Sequence, residues 1–171
     1  FMAGLYLASQ SPRRTELLTQ VGIEHIVVSS TYEEPNEGYD SPIEMVKAQA
    51  MGKARSAVGV PEGSIVLGAD TIVVLDNEVL GKPQDEADAR QMLERLSGRC
   101  HSVITGVALL IKGKEVVFHN ETKVYFKELA PFEIESYITS GEPMDKAGAY
   151  GIQGKGALWV EKIEGSYTNV V

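Results

Sequence analysis

The sequence predicts an α/β fold, a mixed β-sheet flanked by helices. Short β-rich runs alternate along the chain with stretches whose apolar residues recur at helical spacing. A hairpin signal in the middle breaks the strict strand–helix alternation that an all-parallel sheet would need. With 171 residues and 43% apolar composition, the chain can bury the core of one domain spanning 1–171.

The first strand is Leu5–Ala8, which runs into a polar turn. Ser11 at the N-cap and Pro12 at the first helical position then open a helix to Gln20. Glu24–Ser29 reads as a short strand and 32–40 as an acidic loop. Ser41-Pro42 repeats the helix-start signal, and Ile43, Val46, Ala50, Ala54 and Ala57 or Val58 trace one helical face. Two β-rich runs, Ile65–Ala69 and Ile72–Leu75, are interrupted by Asp70-Thr71, and Asp76-Asn77 marks a turn. Ala87–Leu96 is helical and stops at Ser97-Gly98. Val103–Ile111 and Val116–Phe118 flank Gly113-Lys114 as a hairpin, with Thr122–Phe126 a further strand. Pro131–Thr139 is helical, with Ile134, Tyr137 and Ile138 on one face. Gly148, Gly151, Gly154 and Gly156 mark a tightly turning backbone before a last strand, Ala157–Ile163.

Composition narrows the function classes. A net charge of −8 argues against nucleic-acid and anionic-membrane partners, both of which call for a basic face. No apolar run approaches the roughly 20 residues that span a bilayer, and no signal-peptide pattern opens the chain. A cytoplasmic location is the default expectation. Cys100 is alone, and His25, His101 and His119 lack metal-ligand spacing, so each histidine reads as structural or exposed. Asn120-Glu121-Thr122 matches a glycosylation sequon by chance, and Phe1 reads as an addition before the native start.

Against that acidic background, local cations stand out. Arg13 and Arg14 sit in a first helical turn, where they oppose the helix macrodipole unless an anion is present. Free N–H groups at a helix start and two guanidinium forks make a receptor for phosphate oxygens. Asp70 interrupts an apolar run beside Thr71, and Lys82 is held between Gly81 and Pro83. Glu33 and Glu34 lie in the acidic loop and Lys53 on the Ser41 helix; each of these reads equally as a solvated charge. Gln153, within the glycine-dense segment, offers one amide donor–acceptor pair, although neither P-loop nor dinucleotide spacing is present.

Taken together, these residues resemble one family over essentially the whole chain, in order. Leu7-Ala8-Ser9-Gln10-Ser11-Pro12-Arg13-Arg14, Gly68-Ala69-Asp70-Thr71, Gly81-Lys82-Pro83, Leu96-Ser97-Gly98 and Thr105-Gly106-Val107 are similar to the Maf family of house-cleaning nucleotide pyrophosphatases. So are the segments from Asp145 to Gly154 and from Gly165 to Val171. The resemblance implies a fold related to inosine triphosphate pyrophosphatases, with two lobes and a central cleft. It implies hydrolysis of nucleoside triphosphates to monophosphate and pyrophosphate with a divalent cation, Mg²⁺ or Mn²⁺.

Carried over residue by residue, Ser9, Arg13, Arg14, Lys53 and Lys82 fall on the phosphate side, with Lys82 counted among the catalytic residues. Glu33 and Asp70 are the catalytic and metal-binding acids, with Asp70 the proton acceptor; Arg13, Thr71 and Gln153 bear on substrate choice. Asp145-Lys146-Ala147-Gly148 followed by Tyr150-Gly151-Ile152-Gln153-Gly154 resembles the branch acting on dTTP and UTP, with CTP and modified pyrimidine nucleotides as further substrates. The family continues beyond the position of Val171 with Gly-Leu-Pro and a final helix, so the resemblance implies a shortened C-terminal end and, as partner, a second copy in a homodimer.

A free aspartate, with a pKa near 3.9, lies about three units below neutrality, a mismatch of roughly 4 kcal/mol for deprotonating water. Either the cation acidifies that water or burial raises the Asp70 pKa; the first is favoured, because Glu33 offers the ion a second carboxylate. The alternative is a nucleotide-binding regulator of septum formation with incidental catalysis. Two carboxylates beside the cations favour chemistry, since a pure triphosphate binder gains little from acids there.

Overall fold

The computed structural model describes residues 4–33, 35 and 37–171; the readings on Phe1 and Glu34 fall outside them. The chain forms a mixed seven-stranded sheet with flanking helices, as predicted. In chain order the elements are β1 (Leu5–Ala8), α1 (Pro12–Gln20), β2 (Ile26–Val28), α2 (Pro42–Arg55), β3 (Ile65–Leu75) and β4 (Glu78–Leu80). Then follow α3 (Glu86–Leu96), β5 (Cys100–Ile111), β6 (Lys114–Phe126), α4 (Pro131–Thr139), β7 (Val160–Glu164) and α5 (Tyr167–Val170). The strand order is β2-β1-β3-β5-β6-β7, with β4 paired on β3. β1 is parallel to both neighbours, and Ala8 pairs with Val28 on one side and Gly68 on the other.

Two predicted interruptions are absent. Asp70-Thr71 does not break the strand: β3 runs unbroken from Ile65 to Leu75. The strand carries a carboxylate because Lys53 pairs with it. Likewise, Val116–Phe118 and Thr122–Phe126 are parts of one long strand, β6, whose residues 114–121 are all exposed. Polar residues between them cost little where no core faces them. Helix α2 ends at Arg55, so Ala57 lies beyond it and forms an isolated bridge with Ser30. The sequence-predicted stretch 157–159 is 3₁₀-helical, and the strand begins at Val160. A one-turn helix, α5, follows it.

The chain divides into two compact units, Phe1–Asp70 with Thr105–His119 and Thr71–Ile104 with Asn120–Val171. The core of the first is small-residue packing: Ala8, Ala50, Met51, Ala54, Val66 and Ala108. The second is aromatic and larger, with Leu93, Leu96, Val124, Phe126, Tyr137, Tyr150 and Trp159. Within it the Phe126 and Tyr150 rings meet edge to face at 4.7 Å, as do Tyr137 and Trp159 at 4.6 Å. Thr122 is buried there and accepts from Asn169 Nδ2 at 2.9 Å and from the Ser166 amide at 3.0 Å.

His101, 2% exposed, lies in this aromatic cluster. Burial lowers its pKa from 6.5 to about 4, so the folded protein holds it neutral while the unfolded chain protonates it below pH 6.5. A depressed folded value means stability present above the unfolded pKa and lost as pH falls toward the folded one. Between pH 7.5 and 5 this histidine is expected to remove about 2 kcal/mol of stability. Urea midpoints across that range check it: a His101→Phe variant should have the flatter profile.

Candidate active site

The first unit assembles its charged residues around α2, the C-terminal end of β1 and the middle of β3. Ser41 caps α2 by accepting from the Glu44 amide at 3.2 Å, and Pro42 begins the helix. The helix lies unusually close to β3. A Cβ on Gly68 would stand 2.3 Å from the Ala50 carbonyl oxygen and 2.8 Å from the Ala54 nitrogen. Gly106 of β5 meets the Val46 carbonyl in the same way. Only glycine lets strand and helix backbones approach this far.

Alternation along β3 puts Asp70 on the same face as Gly68, toward α2. There Lys53, one residue before Ala54, reaches it: Lys53 Nζ donates to Asp70 Oδ1 at 3.2 Å. The carboxylate residue is 7% exposed, and the lysine is half-buried. Burying two such charges is tolerated because each offsets the other.

Beside them, β1 ends at Ala8, level with Gly68 of β3. Ser9 follows and is buried. Its Oγ accepts from Arg14 Nη1 at 2.9 Å and from the Ser11 amide at 3.2 Å. Ser11 stands at the N-cap as the sequence predicts, yet its own side chain makes no cap bond, while its amide donates to Ser9 Oγ just upstream. No acidic residue occupies the first turn of α1, and Arg13 and Arg14 are both half-buried. The C-terminal ends of parallel strands together with a helix start form the usual ligand side of an α/β sheet.

The acidic loop and the residue before it are fastened at three points to α2 and its C-cap, Ser56. The Thr31 amide donates to the Ser56 carbonyl at 3.1 Å, and Gln49 Nε2 donates to the Pro35 carbonyl at 3.0 Å. Between them the Tyr32 ring lies on Gly52, where a Cβ would be 2.2 Å away. Glu33 is therefore exposed on a segment anchored to the helix that carries Lys53. Among the described residues, no three histidine, cysteine or acidic side chains gather as a protein-only metal cage.

Sequence reasoning placed Lys53 and Asp70 separately and missed what joins them. The signal was present: a glycine inside a strand pattern, Gly68, marks close backbone approach.

A family model described as "Maf-like protein" matches residues 4–171. The chain belongs to the Maf family. A relative from Symbiobacterium thermophilum named dTTP/UTP pyrophosphatase is 55% identical, over 99% of this Maf chain and 88% of its own length. One of the same name from Bacillus cytotoxicus is 52% identical, over 99% and 89% respectively. Among solved structures, the Staphylococcus aureus Ham1 protein aligns with a TM-score of 0.50 at 11% identity, covering 90% of this chain and 89% of that one. That likeness shows the shared α/β architecture.

The remaining sequence-predicted residues of the Maf chain lie in the second unit. Thr71 follows Asp70 on β3 and is half-buried. Lys82 and Gln153 are exposed. The segments bearing them are joined, because the Gly148 amide donates to the Gly81 carbonyl at 3.1 Å.

Proposed function

We propose that this protein hydrolyses dTTP and UTP to the nucleoside monophosphate and pyrophosphate, with CTP and modified pyrimidine nucleotides as further substrates. The observation that carries the site assignment is the pairing of half-buried Lys53 with buried Asp70, in the same unit as the Ser9–Arg14 pair. The names of relatives at about half identity support the activity. The regulatory reading has no observation in its favour.

In the reaction, water attacks the α-phosphorus in line. A new P–O bond forms as the bond to the bridging α–β oxygen breaks, and pyrophosphate carries away that electron pair. Asp70 takes the proton released by the water. Arg13, Arg14, Lys53 and Lys82 offset the charge gathering on the phosphate oxygens. Ser9 holds the Arg14 guanidinium in place. Thr71 and Gln153 bear on the choice of base.

The oxygen donors Asp70 and Glu33 fit a hard divalent cation, Mg²⁺ or Mn²⁺. Such an ion needs only one or two carboxylates when substrate phosphates complete its shell. Bound there, it would supply electrostatic stabilisation of the leaving group and lower the pKa of water. A cytoplasmic homodimer with a house-cleaning role completes the proposal. Exposed Val116 and Phe118, on one face of β6, offer apolar surface for the second copy.

Pyrophosphate release from a panel of nucleoside triphosphates, with and without Mg²⁺, tests the activity. The expected result is dTTP and UTP turnover that chelation abolishes; release from none of the panel would remove the assignment. In the same panel, Gln153→Ala should lower the preference for dTTP over CTP by about fivefold, the loss of roughly one hydrogen bond. An unchanged ranking would clear Gln153 of a reading role.

A further inference from the structure

We propose that His101 and Tyr150 form a positioning pair that fixes the segment Tyr150–Gly154 and so sets the pyrimidine preference read through Gln153. The inference rests on Gln153 facing the base. His101 is a costly choice for its place, since its ring packs edge-on against Phe126 at 5.0 Å and Tyr150 at 5.3 Å. A phenylalanine would fill that role without burying polar atoms. What only the imidazole supplies is a 2.6 Å hydrogen bond between Nε2 and the Tyr150 hydroxyl. Nδ1 is buried without a partner among the described residues, so this is the one polar contact the ring makes there.

The backbone explains why Tyr150 needs an anchor. Gly148 and Ala149, immediately before it, both adopt left-handed conformations, with φ of 72° and 65°. Gly148 also packs on Val73, where a Cβ would lie 2.8 Å from a methyl group. An alanine in that conformation is strained and persists only when its surroundings hold it.

Beyond the turn, the Gly151 amide donates to the Tyr137 hydroxyl at 3.0 Å, and the Lys155 amide donates to Glu142 Oε1 at 3.3 Å. Ile152 is buried while Gln153 is exposed. The segment is therefore held at both ends and displays one side chain. Its amide distinguishes uracil or thymine from cytosine only if oriented, because a half turn exchanges donor and acceptor. Burial keeps the His101 ring neutral, which leaves the pair intact across physiological pH.

Tyr150→Phe removes one oxygen and His101→Leu removes the imidazole; His101→Gln can restore a partner to the hydroxyl. In the full chain, the first two are expected to lower the dTTP-to-CTP ratio of kcat/KM by about fivefold through KM, with kcat for dTTP within about twofold. Amide hydrogen exchange at 151–154 should quicken by about tenfold in both. His101→Gln should recover part of both effects. Unchanged ratio and unchanged exchange in folded Tyr150→Phe would overturn the proposal, and that variant decides if His101→Leu fails to fold. Gln153→Ala, run in parallel, separates the two ideas. If it alone shifts the ranking, the pair is refuted and base reading survives. If it shifts nothing, base reading falls, and with it the pair's claim on selectivity.

Discussion

Asp70→Asn is expected to cut turnover by about 10²–10⁴-fold, the range typical of a lost general base, while nucleotide binding is kept or tightened. The two halves of that expectation have different origins. Asparagine matches aspartate in volume, so β3 and its approach to α2 survive. It cannot accept the proton that leaves the attacking water. It also removes a negative charge from a site that must receive a triphosphate, which relieves repulsion rather than adding it. Lys53, which donates to Asp70 Oδ1 at 3.2 Å, then faces a neutral acceptor and keeps more of its charge for phosphate. Pyrophosphate release measures the first half and calorimetric titration with a non-hydrolysable dTTP analogue the second. Full turnover would remove Asp70 from the chemistry. Loss of turnover and binding together, with a lowered unfolding midpoint, would make it a structural partner of Lys53.

Much of the molecule was legible because its signals are local. α1 and α4 match their predicted bounds residue for residue, since Pro12 and Pro131 mark the first turns. The Ser9–Arg14 contact spans five positions and lies inside one motif. Contacts that close over long separations were not legible. β3 looked interrupted at Asp70 because the cation that makes a buried carboxylate tolerable sits 17 positions earlier on a helix. Alternation alone cannot see such a partner. His101 reads as a structural or an exposed histidine, and it is buried; Tyr150, which defines its role, is 49 positions away. The fastening of the Glu33 loop by Tyr32 on Gly52 left no sequence signal beyond an unremarkable helix glycine. Resemblance supplied the roles of Lys82, Thr71 and Gln153, whose local pattern reads equally as loop and strand surface.

Gly68→Ala is expected to harm stability and turnover together, because one added methyl strikes the contact that brings Lys53 to Asp70. The new Cβ would stand 2.3 Å from the Ala50 oxygen, 2.8 Å from the Ala54 nitrogen and 3.0 Å from the Ala54 Cβ. Two of those atoms are helix backbone and cannot rotate away as a flexible side chain would. α2 must therefore move back from β3. Overpacking typically costs about 1–3 kcal/mol, and backbone obstruction places this site near the upper end. For a chain of this size that corresponds to a fall in Tm of roughly 10 °C. Lys53 travels with Ala54, so its hydrogen bond to Asp70 stretches, and turnover well below the midpoint should drop by about tenfold or more. Gly81→Ala is the control for stability, since a Cβ there meets nothing within 4 Å. A Gly68→Ala protein that melts like the Gly81→Ala protein would mean that β3 and α2 are not pressed together, and the geometric basis for pairing Lys53 with Asp70 would go with it.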